Sequence, residues 1–327
     1  MTDNKIRLAF IIDDSRVREI FDALSGILDS LTGGRVSFTE AKFGKAAHRE
    51  SGDVLPPDAI EAIKQNDAAL LGLIDKTGIS LGSPVGKLRK ALSLYADIRP
   101  VKSLEGAKNF DIVFIRESTE GFLADRNSYL GTPEFMPTRD VALSVRVVSR
   151  AACLRIAKYA FEYALRNNRK SITAAHKSNV LHLTCKLFLD CFYETAAEYP
   201  SITAGDDYVD NTANGLVLHP ENYDIILTTN LFGDILSDVG SALCGNLCAA
   251  CNISDDAAVY MPVSHIIPPE EKQLTRFFYP YLLCGAQILA NSGYTAGSLR
   301  LERAVKDNFD LSIGVSEAAH RIKEALL

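Results

Sequence analysis

The apolar run Ile225-Ile226-Leu227-Thr228-Thr229 passes without a break into Asn230-Leu231-Phe232-Gly233-Asp234-Ile235-Leu236-Ser237-Asp238. The first part reads as a buried strand, and the second opens a helix. Asp234 and Asp238 stand four apart, so they share one helix face about a turn from each other. Two carboxylates there repel each other, near a helix start that favours negative charge. Either the pair is solvated, or a hard cation such as Mg²⁺ or Mn²⁺ relieves the repulsion.

The same alternation runs along the chain. Strands are predicted at 6–12, 36–43, 68–74, 111–116, 171–176 and 224–229. Helices are predicted at 16–31, 57–65, 86–95, 153–167 and 182–199, at the segment opened by Asn230, and at 276–292, 296–306 and 315–326. Pro57 suits the first turn of its helix. This is an α/β pattern with mainly parallel strands. Residues 124–141, with Gly, Pro and charges, interrupt it, and 142–149 reads as an extended arm.

At 327 residues with 47% hydrophobic content, the chain suits one large or two medium domains with a full core. A formal charge of -6 provides no basic footprint for nucleic acid. No apolar run is long enough to span a bilayer, and the start lacks a signal-peptide core. The seven cysteines are odd in number and lie mostly in helical patterns, which fits reduced thiols and a cytoplasmic location. Cys244-x3-Cys248-x2-Cys251 matches an iron–sulfur spacing, but small cysteines in a packed Gly/Ala segment are the ordinary explanation.

Other charged residues stand where an open α/β sheet presents its ligand crevice. Arg116 ends the apolar run Ile112-Val113-Phe114-Ile115, and Arg89 and Arg99 flank Leu94-Tyr95-Ala96-Asp97-Ile98. Arginine forks bind carboxylates in bidentate fashion, and the alternative is surface ion pairing. Lys177 ends another buried-type strand, where it is either an acid–base group or a solvated lysine. His176 reads as a satisfied structural histidine. Asp210 either adds a third carboxylate or caps the helix after it.

Together these pieces resemble the β-decarboxylating dehydrogenases, the isopropylmalate, isocitrate, homoisocitrate and tartrate dehydrogenases. The matching motifs are Leu88-Arg89-Lys90 through Arg99-Pro100, Arg116-Glu117-Ser118-Thr119-Glu120-Gly121, His176-Lys177-Ser178-Asn179-Val180, Val209-Asp210, and Asn230 through Asp238. The resemblance implies an isopropylmalate dehydrogenase-like fold. Its large nucleotide-side domain would comprise 1–94 and 246–327, and its small dimerisation domain 95–245, with 124–149 as an intersubunit clasp. It implies that Arg89, Arg99 and Arg116 grip a malate-type substrate, with Ser83 and Asn179 added to that set. Lys177 of a partner subunit would help deprotonate the hydroxyl. Asp234 and Asp238 of one subunit and Asp210 of the other would hold Mg²⁺ or Mn²⁺, a Lewis acid for alkoxide and enolate. The implied protein is a cytoplasmic homodimeric oxidoreductase that uses NAD(P).

Three departures accompany the resemblance. The tyrosine that protonates the enolate carbon in the family is replaced by Leu123, which has no proton to give, with Tyr129 as the nearest substitute. The nucleotide loop reads Pro262-Val263-Ser264-His265-Ile266-Ile267-Pro268-Pro269, which leaves Ser264 and His265 as polar contacts, and the adenine-facing position is Tyr279. The early glycine-rich turn is Ile12-Asp13-Asp14-Ser15-Arg16, and the loop before Arg89 is short. The leading expectation is oxidative decarboxylation of a malate-type 2-hydroxy dicarboxylate. The alternatives are a non-redox metal-dependent decarboxylase or lyase and a weakly catalytic ligand-binding subunit.

Overall fold

The computed structural model describes residues 5–75, 83–103, 109–122, 134–268 and 273–327. In chain order these form β1 (Ile6–Ile12), α1 (Val17–Thr32), β2 (Val36–Lys42), α2 (Gly44–Ser51), α3 (Pro57–Gln65), β3 (Ala68–Leu71), α4 (Pro84–Ala91), β4 (Ala96–Lys102) and β5 (Asp111–Glu117). There follow β6 (Glu134–Thr138), β7 (Val141–Ser144), α5 (Arg150–Arg166), β8 (Ser171–His176), α6 (Thr184–Ala196), β9 (Thr203–Tyr208), α7 (Val209–Leu218), β10 (Ile225–Thr228) and α8 (Asn230–Leu243). The chain ends with β11 (Ala249–Ile253), β12 (Ala258–Pro262), α9 (Thr275–Asn291), α10 (Thr295–Asp307) and α11 (Val315–Ala325). Clustering of contacts divides it into two compact units, Met1–Leu92 with Leu247–Leu327, and Ser93–Asn246.

In the first unit the strands lie in the order β2-β1-β3-β12-β11, parallel except for the β11–β12 pair. Helix α1 shows how the sequence builds this layer. Val17, Ile20, Phe21, Leu24, Ile27 and Leu28 recur at helical spacing and are all buried, each stabilising by roughly 1.5–3 kcal/mol. Phe21 meets Tyr281 of α9 edge to face at 5.4 Å. Gly33, at φ 64°, ends α1 by turning its amide back to the last carbonyls.

In the second unit the order is β4-β5-β10-β8-β9, with β4 alone antiparallel to its neighbour. All four residues of β10 are buried, as its apolar run requires. Helices α5 and α6 stack Phe161 on Phe192 at 5.5 Å. Strands β6 and β7 form a separate hairpin in which every residue is exposed. Among the described residues no helix is long and apolar enough to cross a membrane.

The predicted alternation is present, with boundary corrections that have physical causes. The helix expected to reach Tyr95 ends at Ala91, because Ser93 takes a left-handed conformation at φ 51° and the chain leaves for β4. The strand expected to reach Ile74 ends at Leu71, and Ile74 instead forms an isolated bridge with Ile266. Strands that were not predicted include β4, whose Pro100 disguised it, β9, a polar strand, Thr-Ala-Gly-Asp-Asp-Tyr, paired with β8, and the β6, β11 and β12 strands.

Candidate active site

Three strand ends place the charges. Arg116 lies near the end of β5, in register with Thr228 of β10 and with Asp97 of the antiparallel β4. The strand period puts Arg99 on the same face as Asp97. Helix α8 starts directly after β10, so Asp234 and Asp238 come down one face toward both guanidinium groups. Arg99 Nε donates to both oxygens of Asp97 at 3.2 Å, and Nη2 donates to Asp97 at 2.9 Å and to Asp234 at 3.3 Å. Its Nη1 donates to the Ser237 hydroxyl at 2.8 Å and to Asp238 at 3.2 Å. Arg116 donates through Nε and Nη2 to the Asn230 side-chain oxygen at 3.0 and 2.6 Å. Its Nη1 pairs with Asp234 and stands 3.6 Å from Asp97.

Burial separates the carboxylates into two kinds. Asp97 is 0% exposed, whereas the side chains of Asp234 and Asp238 are 43% and 66% exposed. Burial works against the charge of Arg99, but Asp97, Asp234 and Asp238 outweigh it and hold the guanidinium firmly protonated. Asp238 is pushed above the usual carboxylate range by burial and by its acidic neighbours Asp234 and Asp97, against the pull of Arg99 and Arg116. Helix α8 passes so close to β5 that a Cβ on Gly233 would lie 2.7 Å from Arg116 Cγ.

A second cluster forms where β8 and its parallel neighbour β9 end. Lys177 follows β8, and its Nζ pairs with Asp210 in the first turn of α7 and lies 5.6 Å from the Tyr208 ring centre. That hydrogen bond holds the Asp210 carboxyl below the usual range. Asp210 does not cap α7. His176 is the satisfied structural residue expected: its Nδ1 accepts the Ser178 amide at 3.0 Å, so Nε2 carries the proton donated to Asp206 at 2.9 Å. Asn179 is exposed in the turn beside Lys177.

Asp234 and Asp238 provide the hard oxygen donors, one helical turn apart and open to solvent, that suit Mg²⁺ or Mn²⁺. Among the described residues no three His, Cys, Asp or Glu side chains of one chain come together as a metal site, so Asp210 does not join this pair within the chain. The cysteine triad does not form a site either. Cys244, Cys248 and Cys251 are all buried, and among the described residues they do not come together as a metal site.

The isocitrate/isopropylmalate dehydrogenase family profile matches residues 7–266. The chain belongs to that family. It is 38% identical over 283 residues to the homoisocitrate dehydrogenase of Methanocaldococcus jannaschii, covering 80% of this chain and 78% of that protein. It is 37% identical over 269 residues to the 3-isopropylmalate dehydrogenase of Methanothermobacter thermautotrophicus, with coverage of 80% and 78%. The isocitrate dehydrogenase structure from Methylococcus capsulatus matches with a TM-score of 0.87 at 32% identity, over 98% of this chain and 99% of that one. The protein is thus an enzyme of the oxidoreductase class with the isopropylmalate dehydrogenase-like fold.

The remaining family positions lie in the first unit. Ser83 serves as the N-cap of α4, its hydroxyl accepting the Gly86 amide at 3.1 Å. Arg89 Nε donates to the Asn252 side-chain oxygen on β11 at 2.6 Å. Asn252 is fully buried, and its amide nitrogen has no partner among the described residues.

The segment after β12 holds the altered nucleotide loop expected from the sequence. The Ile74 amide donates to the His265 carbonyl at 2.9 Å and the Ile267 amide to the Ile74 carbonyl at 3.1 Å, while the Val263 amide is spent on Cys248. Exposed Ser264 and half-buried His265 are its polar side chains, and the His265 Nδ1 lies 3.1 Å from the Val263 carbonyl. This set fits a dinucleotide pyrophosphate poorly. Tyr279 requires a correction: it is not a nucleotide contact. It is wholly buried in α9, and its hydroxyl donates to the Asn308 carbonyl at 2.7 Å and accepts the Asp310 amide at 3.1 Å. Leu123, Tyr129 and Pro269 lie outside the described residues.

Several site residues escaped the sequence reading. Asp97 would have been placed beside Arg99 by the pleat alone, had 96–102 been read as a strand. Asn230 and Ser237 were visible in the α8 motif but not as arginine partners. Arg146 carried no signal. Its guanidinium lies 5.9 and 5.4 Å from the ring centres of Phe122 and Phe232 and donates to the hydroxyls of Thr184 and Thr229 at 2.6 and 3.1 Å. It thereby ties the chain after β7 to the starts of α6 and α8.

Proposed function

We propose that this protein catalyses the metal-dependent oxidative decarboxylation of a malate-type 2-hydroxy dicarboxylic acid, with NAD or NADP as hydride acceptor. One observation carries the reading: the buried Arg99 and Arg116 share a single cluster with the solvent-facing Asp234 and Asp238. The two guanidinium groups and the carboxylates of Asp97, Asp234 and Asp238 sum to about one negative charge, so a divalent cation makes the cluster a receptor for anions. Mg²⁺ or Mn²⁺ held by Asp234 and Asp238 would supply Lewis-acid stabilisation of the substrate oxygens. Arg99 already points donors at both aspartates and Arg116 Nη1 at Asp234. When those carboxylates are otherwise engaged, these donors can turn to grip and orient a substrate carboxylate. Arg89 is assigned to the same substrate by its motif.

Lys177 is assigned the hydroxyl proton, and Asp210 positions its ammonium. The pair would reach the cluster from a second copy of the chain, making the working unit a homodimer with shared sites. The exposed apolar residues support this. Phe135, Met136, Val141 and Leu143 of the hairpin, together with Val180, Leu183, Val217, Leu218 and Ile235, lie bare in one unit. The relatives' names differ only in the group carried on a common malate core, and the side group accepted here is left open.

Calorimetry with Mg²⁺ and a 2-hydroxy dicarboxylate tests the reading, with NAD and NADP titrated separately. Binding of carboxylate and one nucleotide is expected, and Lys177→Met should abolish turnover while leaving carboxylate binding largely intact. Failure of any carboxylate to bind would remove the reading. The bonded Val263 and Ile267 amides, the prolines at 262 and 268 and buried Tyr279 favour a second reading, a metal-dependent decarboxylase or lyase that uses no nucleotide. Carboxylate binding with no nucleotide affinity would select it. Binding without any turnover would select a ligand-binding subunit.

A further inference from the structure

His176 ends β8 directly before Lys177, and its buried ring commits both nitrogens. Nδ1 accepts the Ser178 amide at 3.0 Å, so this hydrogen bond spans the whole of Lys177, as an asparagine side chain does when it closes an Asx turn. Nε2 donates to Asp206 of β9 at 2.9 Å, and the other oxygen of Asp206 accepts the Tyr193 hydroxyl from α6. Those two hydrogen bonds keep Asp206 below the usual carboxylate range against the effect of burial. An ionised Asp206 holds the proton on Nε2 and leaves Nδ1 as the acceptor. The Lys177 amide donates to the Cys185 sulfur at 3.4 Å, and the Lys177 carbonyl accepts the Val180 and Leu181 amides at 3.1 and 2.8 Å. The bond from Ser178 to His176 closes over both peptide planes of Lys177 and so fixes the direction in which its side chain leaves the backbone. The His176 ring also packs edge to face at 5.3 Å on Tyr208, its register partner on β9, and the Lys177 Nζ lies 5.6 Å from the centre of that tyrosine ring.

We propose that His176 is a positioning residue for Lys177, setting the origin of the lysine side chain through the Ser178 amide and bracing the Tyr208 ring beside its ammonium. The role rests on the functional reading above, in which Lys177 takes the hydroxyl proton. A lysine carries about 2 kcal/mol of rotamer entropy, so its ammonium reaches one point reproducibly only when both ends of the side chain are held. His176 holds the backbone end, and Asp210 and Tyr208 hold the tip. Misplacing a reacting group by about 1 Å costs on the order of a hundredfold in rate. The two ring nitrogens divide the work. The Nε2 bond ties β8 to β9 and, through Asp206, to α6, which serves the fold. The Nδ1 bond acts on the Lys177 turn alone, which serves the chemistry.

The test measures kcat, KM and Tm of the full-length protein with Mn²⁺ and NAD or NADP. The substrates are 3-isopropylmalate, isocitrate and homoisocitrate, those for which the relatives are named, and the one that wild-type protein turns over fastest is used throughout. His176→Asn puts an oxygen at the Nδ1 place and loses the Nε2 donor; His176→Gln puts a donor at the Nε2 place and loses the acceptor over Lys177. His176→Asn should keep kcat within about threefold of wild type while its Tm falls. His176→Gln should lose roughly 10–100-fold in kcat with KM within about threefold. Equal kcat in the two variants, or a loss in His176→Gln confined to KM, overturns the proposal. If His176→Gln does not fold, His176→Asn decides, and a kcat lowered about tenfold or more there overturns it. Lys177→Met separates the two levels. No turnover in Lys177→Met, with equal kcat in the two histidine variants, removes the proposal and leaves the functional reading standing. Turnover that persists in Lys177→Met, or wild-type protein that turns over none of the three substrates, removes both.

Discussion

Replacing Gly233 with alanine separates the role of Arg116 from the stability of the fold. An added Cβ would lie 2.7 Å from Arg116 Cγ, 2.8 Å from its Cβ and 3.1 Å from its Cδ. These atoms are the fixed end of a side chain that is only 2% exposed, so the clash cannot be relieved by rotating a distant tip. Overpacking of this kind costs about 3 kcal/mol at the upper end of its usual range, and the better helix propensity of alanine returns about 1. The net loss of about 2 kcal/mol corresponds to a Tm lower by roughly 4–8 °C. Gly285 of α9 in the first unit provides the control, because a Cβ there would lie 3.0 Å from Leu24 Cδ1 and 3.2 Å from Leu28 Cδ2, both aliphatic atoms of α1. Gly285→Ala should also lower Tm. Only Gly233→Ala should weaken carboxylate binding, by roughly 10–100-fold, since displacing the Arg116 stem breaks a charge-assisted contact worth about 1.5–3 kcal/mol. Thermal denaturation and calorimetric titration with succinate at constant Mg²⁺ measure both effects. Equal carboxylate affinity in the two variants, with both destabilised, would refute the assignment of Arg116 to the substrate.

Burial raises the Asp206 carboxyl, but the hydrogen bonds from Tyr193 and His176 outweigh it and leave the group below its ordinary value of 3.8. A depressed carboxylate contributes stability that is present above the unfolded pKa and lost as pH falls through the lower folded value. The Tm of wild-type protein should therefore fall more steeply below about pH 4 than that of Asp206→Asn, and parallel acid limbs would count against the network. Tyr279→Phe removes a hydroxyl that serves two backbone groups, at a cost of about 1–3 kcal/mol, and should lower Tm without altering any nucleotide affinity. A selective loss of NAD or NADP binding in that variant would restore Tyr279 as a nucleotide contact. Met136→Asp with Leu143→Asp places charge on both strands of the exposed hairpin, and sedimentation should then find monomer with weakened Mn²⁺ affinity. An unchanged dimer would exclude the hairpin as a clasp.

How much of this was legible in the sequence depended on what kind of signal each residue carried. Arg116 and Lys177 were readable because each ends an apolar run, and a charge after a buried strand has few places to go except the crevice at the sheet's carboxyl edge. Asp234 and Asp238 were readable as a face because helical spacing is local. Tyr279 was misread because a motif position carries no information about burial, and α9 is apolar on nearly all sides, which pulls even its tyrosines into the core. Asp97 was missed for a different reason. Its importance comes from pairing two arginines that are 17 residues apart, a relation created only when β4 lies antiparallel to β5. Reading three arginines as available substrate grips counts charges without their counter-ions. In the folded unit Arg99 donates to Asp97, Asp234, Asp238 and Ser237, so its availability depends on which of those acids can leave. Two face solvent and one does not. That difference in burial, rather than the count of arginines, sets which arginine donors a substrate carboxylate can reach.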